Sequence, residues 1–163
     1  ITIFEYSDFQ CPYCSRFHAN AYQDLVNGYI AEGKVKLIYK DFPLSFHAQA
    51  ELAAEAANCA MDQDPEKYWS MHDLLFSKST EWSGSQTAMD TFISYADQLD
   101  LDTGDFEQCV NSAKFAEDIK QDIAEGRAEG INGTPTFVIN DQKLVGAQPF
   151  TAFKQLIDAE LAK

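Results

Sequence analysis

The chain opens on Ile1-Thr2-Ile3-Phe4-Glu5-Tyr6, in which Ile1, Ile3 and Glu5 share one face of an extended backbone. That period of two predicts a strand over 1–6. Helical spacing then predicts a helix from 11 to about 29, ending near Gly28 or Gly33. Lys34-Val35-Lys36-Leu37-Ile38-Tyr39-Lys40 predicts a second strand, stopped by Pro43. Strand, helix and strand within roughly 40 residues make a βαβ unit with a right-handed crossover.

From 47 to 129 the spacing is helical throughout. Leu52, Ala56, Cys59 and Gln63 trace one face of an alanine-rich helix. Asp64-Pro65 predicts an N-cap and first-turn proline for a helix carrying Trp69, His72, Leu75 and Phe76. Ser85 is read as the cap of a helix that turns Met89, Phe92, Ile93 and Ala96 inward, and Asp102 or Thr103 as the cap of a short one with Phe106, Cys109 and Val110. A long polar helix is expected from Ser112 to Glu129, stopped by Gly130. Strand character returns over 135–140 and 143–145 around a turn at Asp141-Gln142, predicting an antiparallel hairpin. Pro149 opens a last helix with Phe150, Phe153, Leu156, Ile157 and Leu161 on its face. The plan is α/β: βαβ and ββα segments, at 1–46 and 130–163, separated by an all-helical insertion at 47–129.

Composition agrees with that plan. With 163 residues, 45% hydrophobic, twelve phenylalanines and seven tyrosines, the chain can build a core without disulfide support. The formal charge is −14, and the twelve Lys and Arg are scattered rather than clustered, so nucleic acid is not an expected partner. The acidity reads as a solvated surface. No apolar run approaches the roughly 20 residues that span a bilayer. The chain starts at Ile1, already inside a strand and without Met, which reads as a trimmed mature domain whose targeting segment lies outside the sequence.

The chemistry concentrates at Cys11-Pro12-Tyr13-Cys14, placed between the first strand and its helix. A thiol at a helix start meets unpaired backbone N–H groups and the positive end of the helix dipole, which favour thiolate. Cys11 is therefore the expected nucleophile at an exposed position, and Cys14, one turn deeper, the shielded resolving thiol. Pro12 suits the first helical turn. A structural disulfide or half of a metal site is the alternative, but no second CxxC and no nearby His pair completes a zinc set, so no metal is expected. Glu5 ends an otherwise apolar row. Buried beneath Cys14 it would have a raised pKa and could exchange the proton of that thiol; at a strand end it could instead reach solvent. Cys59 and Cys109 fall on apolar faces of two insertion helices, which leaves a bridge and two buried free thiols both open. The three histidines read mostly as structural: His18, on the Cys11 face of the helix, has a place under the active site as its alternative, and His47 and His72 are assigned core or capping roles. Tyr13 and Phe9 are expected to line an apolar surface around the cysteines, with Phe150 beside them.

Four stretches carry a resemblance: Glu5 to Cys14, Lys40-Asp41-Phe42-Pro43-Leu44, Trp69 to Phe76, and Asn132-Gly133-Thr134-Pro135-Thr136-Phe137. Together they resemble the DsbA-like thiol:disulfide oxidoreductases, which implies a thioredoxin fold with a helical insertion. An extra strand commonly precedes the first one in that family and is not in this sequence. The resemblance implies a cis Thr134–Pro135 bond opposite the CxxC, a loop whose backbone pairs with an extended substrate, and contact of Thr134 with the active disulfide. It also implies a buried acid at Glu5 and, as in some relatives, a Cys59–Cys109 bridge. The implied activity is donation of the Cys11–Cys14 disulfide, with no other cofactor, to cysteine pairs of unfolded or extended exported polypeptides. Such a protein would be an extracytoplasmic monomer, reoxidised by a membrane partner of the DsbB or VKOR kind. An isomerase or a reductase would use the same residues. From a different class, a metal- or iron–sulfur-binding glutaredoxin-like module can carry Cys-Pro-Tyr-Cys, and a redox-inactive binding domain is a third reading.

Overall fold

The computed structural model describes residues 1–163. Strand β1 (Thr2–Ser7) runs parallel to β2 (Lys36–Asp41) and antiparallel to β3 (Thr136–Ile139), which pairs with β4 (Gln142–Val145); the order is β2-β1-β3-β4. The register sets Glu5 beside Tyr39 on one side and Phe137 on the other. Alternation sends Ile3 and Phe137 into a core with Phe17, Leu25 and Phe153, from α1 (Pro12–Ala19), α2 (Ala21–Leu25) and α9 (Phe150–Leu161). On the opposite face Tyr6 and Phe42 pack under α8 (Ala116–Ala128).

Six helices stand between β2 and β3: α3 (Ala50–Gln63), α4 (Lys67–Ser77), α5 (Ser79–Trp82), α6 (Ala88–Gln98), α7 (Thr103–Asn111) and α8. Small residues on α3 (Ala53, Ala56, Ala57 and Ala60) let its neighbours approach closely around Met71, Leu75, Trp82 and Phe92. That second core also contains Phe9, Cys11 and Cys14, so the cysteines lie at the seam between sheet and helices.

Several boundaries differ from expectation, each for a local reason. The helix expected over 11–29 breaks at Asn20 (φ −118°, ψ −89°), whose side-chain amide donates to the Arg16 carbonyl at 2.9 Å, a short-range bond that competes with helix propagation. It resumes as α2 and closes with a π-helical turn, Val26–Ile30. Asp64 accepts from the Glu66 N–H at 3.0 Å in a turn, and α4 starts only at Lys67. Ser85 likewise accepts from the Thr87 N–H at 3.1 Å before α6. Asp102 does cap α7, accepting from the Asp105 N–H at 2.8 Å. The polar helix begins at Ala116 rather than Ser112, because Ala113 is left-handed (φ 49°). The hairpin turns at Asn140-Asp141, where Asn140 takes φ 53°, a conformation asparagine tolerates.

Candidate active site

Cys11 is the N-cap residue of α1 (φ −72°, ψ 124°) and Pro12 opens the helix, so the Tyr13 and Cys14 N–H groups are free to face the Cys11 sulfur. Cys11 and Cys14 are not bonded to each other here. The Cys14 thiol, donating to Cys11, holds the Cys11 pKa down to about 6; burial opposes this, and Thr134 and the two N–H groups reinforce it. Cys14 is pushed well above the usual thiol value, first by burial and then by Cys11. The two sulfurs are thus separated into a ready thiolate and a held thiol. Cys11 is not the exposed group the sequence predicts: it is 4% exposed, against 0% for Cys14. Its cover is the loop before β3, whose Thr134 carbonyl lies 3.6 Å from Cys11 Sγ, and the Thr134–Pro135 bond is cis. Pro12 and Tyr13 stay on the surface, with the Arg16 guanidinium 5.2 Å from the Tyr13 ring centre.

The approach to Cys11 is organised by side chains that sequence reasoning assigned no role. Buried Asp8 accepts from the Gln10 N–H (2.7 Å), the Leu44 N–H (2.9 Å) and His47 Nδ1 (2.7 Å), tying the segment before the CxxC to the loop after β2. His47 therefore braces this loop. Gln10 and Gln49 exchange bonds of 2.7 and 2.8 Å, and Gln49 also accepts from the Gly84 N–H at 3.0 Å, joining that segment to the helical insertion. The turn-forming Asp8 between strand and helix was a usable signal; nothing in the sequence marks Gln49.

Glu5, two residues before Ser7 on the same face of β1, is 1% exposed, and burial raises its pKa to about 8, with Ser7 opposing. Ser7 also opposes the rise of the Cys14 pKa. Glu5 Oε2, Ser7 Oγ and the Tyr39 hydroxyl have no hydrogen-bond partner. Of the two readings of Glu5, the solvent-facing one does not hold: its strand face is covered by the helices.

Phe9 does not line a surface. It is 1% exposed and stacks on Tyr39 at 4.9 Å, because the turn after β1 sends it under α4. Phe150 packs 6.2 Å from Tyr29, by α2 and α9. Cys59 and Cys109 are bridged, with Cα atoms 5.9 Å apart, and join α3 to α7. His18 and His72, far apart in sequence, converge on one carboxylate: His18 Nε2 and His72 Nδ1 lie 3.1 and 2.8 Å from Asp73 Oδ1. Both nitrogens are engaged by that oxygen, so the arrangement is a hydrogen-bonded bridge rather than a ligand set.

A sequence model of the family described as thioredoxin matches residues 1–159. The chain belongs to the thioredoxin family. Within it, this thioredoxin-family chain is 25% identical over 166 residues to the disulfide bond formation protein D of Bacillus subtilis, a match covering 99% of the chain and 72% of that protein. It is 31% identical over 163 residues to the Na(+)/H(+) antiporter NhaA 3 of Salinispora tropica, covering 99% of the chain but spanning only 23% of the antiporter's length. The solved structure of alpha-DsbA1 from Wolbachia pipientis is 26% identical and superposes with a TM-score of 0.84 over 97% of this chain and 84% of that one. The thioredoxin-family assignment and the helical insertion thus agree with the fold described above.

Proposed function

We propose that this chain is a thiol:disulfide oxidoreductase of the DsbA type, which passes a Cys11–Cys14 disulfide to cysteine pairs of unfolded or extended exported polypeptides. The observation that carries this reading is the placement of Cys11 at the N-cap of α1, faced by the Cys14 thiol and by the Thr134 carbonyl of the cis-proline loop. A substrate thiolate attacks Cys11 Sγ; the Cys11–Cys14 bond breaks, and Cys14 leaves as a thiolate that takes the proton of Glu5. A second substrate thiolate then attacks the substrate sulfur of the mixed disulfide, and Cys11 leaves as a stabilised thiolate. The substrate has lost two electrons and the enzyme has gained them. The half-buried Thr134 loop, with its backbone carbonyl beside Cys11 and Pro12 and Tyr13 exposed next to it, suits an extended chain that adds in strand fashion.

The direction follows from the Cys11 thiolate. A thiol that titrates near 6 stabilises the reduced form by about 1.4 kcal/mol at pH 7 over one that stays protonated, or about 30 mV in a two-electron couple. That favours donation of the disulfide. Reoxidation falls to a membrane partner of the DsbB or VKOR kind, and the relatives named for disulfide bond formation support an extracytoplasmic setting. No helix is long and apolar enough to cross a membrane. The transport named for the antiporters is not carried over to this chain.

The test is equilibration of Cys11–Cys14 with glutathione, together with a thiolate titration. We expect a Cys11 pKa near 6 and a potential more oxidising than about −270 mV. A pKa near 8.5 with a potential near −270 mV would mark a reductase and end this reading.

A further inference from the structure

We propose that His72, contributed by the helical insertion, passes the proton between the buried carboxyl of Glu5 and the solvent-facing carboxylate of Asp73. This rests on the reading above, in which Glu5 exchanges a proton with Cys14. That reading leaves Glu5 sealed: each half-reaction leaves it a proton short or a proton in excess of its resting state, the balance must be exchanged with water, and the sheet and helices close around it.

Buried polar atoms without partners are few in folded chains. Six occur here, and five lie on one face of β1 and β2 or against it: Glu5 Oε2, Ser7 Oγ, the Tyr39 hydroxyl, Asp41 Oδ1 and His72 Nε2. Glu5 and Tyr39 are register neighbours on β1 and β2, and Ser7 lies two residues along the same face. The Tyr39 ring stands edge-on to His72 with centres 5.3 Å apart, and the buried Tyr22 ring is also 5.3 Å from His72. The imidazole itself is 1% exposed and has two unlike ends. Its Nε2 has no partner, whereas Nδ1 lies 2.8 Å from Asp73 Oδ1, on a carboxylate whose side chain is half exposed. One end meets the interior and the other meets a group in contact with water.

The titratable groups packed around Glu5 and His72 are Cys14 and His18 from α1, Tyr22 from α2, Tyr39 and Asp41 from β2, and Tyr68 and Asp73 from α4. Burial holds the three phenols protonated, so they donate hydrogen bonds without changing charge. Asp73 is held ionised well below the carboxylate range against its own burial, by His18 and His72. His18 shares its oxygen and is bonded there through Nε2. Tyr22 also lies near both carboxyls, but burial holds its phenol protonated, so the imidazole of His72 is the group there that can change charge.

In the outward direction the Glu5 O–H bond breaks and an Nε2–H bond forms on His72, with a single buried water sufficient to complete the hydrogen-bonded contact. The resulting imidazolium is held by the Asp73 carboxylate. Its Nδ1–H bond then breaks, and the proton passes to Asp73 and to solvent. One proton crosses and no electrons move; the inward transfer is the reverse.

The experiment is the multiple-turnover oxidation of dithiothreitol by the full chain, with oxidised glutathione as terminal oxidant, followed across pH in H2O and D2O. Glu5→Gln is expected to slow turnover by about 100-fold, the low end of a positioned proton transfer. Asp73→Asn is expected to slow it on the order of 10-fold and to raise the solvent isotope effect, and His72→Gln to do the same. Because His72 is buried, its variant can fail to fold; half-exposed Asp73 then decides alone. A merely structural role for Asp73 would leave the isotope effect unchanged. Wild-type rates and isotope effects in Asp73→Asn, with Glu5→Gln slow, overturn the His72 route and leave Glu5 in place. A wild-type rate in Glu5→Gln overturns both.

Discussion

Glu5→Gln should make this protein more stable at neutral pH, and by an amount that depends on pH in a defined way. Glu5 titrates near 8 in the fold because burial disfavours its charged form, against 4.5 as an unburied glutamate. Below about 4.5 it is protonated in both folded and unfolded chains and contributes nothing. Between about 4.5 and 8 the folded state holds a proton that the unfolded state has released, so stability falls by about 1.4 kcal/mol per pH unit. The loss reaches about 3 kcal/mol at pH 7 and about 5 kcal/mol above pH 8, where it levels off because both states are ionised. Glutamine fills the same space with no charge to lose. Its own unpaired amide lowers stability by an amount that does not vary with pH. Asp41, buried and raised to about 7, adds a fall of the same sign, but to both proteins, so their difference isolates Glu5. The assay is urea unfolding of the oxidised proteins, in which no active-site thiol titrates, at intervals from pH 4 to 9. The advantage of Glu5→Gln should grow steadily across that window. A difference that stays flat would show that Glu5 ionises normally, and the argument from burial would fail. The expected gain also fits the proposed exchange: an acid that costs stability is retained at the position where the proposal needs a proton.

Two further perturbations test the frame around the site. Replacing Cys59 and Cys109 together by alanine removes a cross-link over a separation of 50 residues, and chain entropy predicts a loss of about 4 kcal/mol in urea unfolding; a loss below about 1 kcal/mol would assign the bridge to native-state geometry instead. Gly126→Ala places a methyl group 2.8 Å from the Phe42 ring and 2.9 Å from the Tyr6 ring. Helix propensity favours alanine by about 1 kcal/mol, overpacking between α8 and the sheet opposes it by about 1–3, and the rings are hemmed in, so Tm should fall; a rise would mean that α8 can move away.

What the sequence discloses about this site is what lies close along the chain, and what it withholds is convergence. The first strand, the N-cap cysteine and the first-turn proline were legible because each is a local rule: alternation, unpaired N–H groups, a missing N–H. The capped start at Asp102 was legible for the same reason. Asn20, Ala113 and the turn at Asn140 were not, since one side-chain bond or one left-handed residue outweighs periodicity there. The contact of Cys11 with the Thr134 carbonyl joins residues 123 positions apart, and only a resemblance to known proteins anticipated it. Phe9 shows how period misleads: its position beside the CxxC points to the surface, but the turn after β1 carries it beneath α4. His72 and Asp73 show the same limit at a finer scale. Neighbours on a helix diverge by about 100°, so one faces the core and the other the solvent, and pattern reading assigns them separate roles. The fold instead turns the imidazole back onto the adjacent carboxylate and brings His18 to the same oxygen from another helix. The insertion is thus more than a cover for the sheet. It supplies His72 and Asp73, a buried imidazole on a half-exposed carboxylate, and a helical pattern alone could not have distinguished that contact from packing.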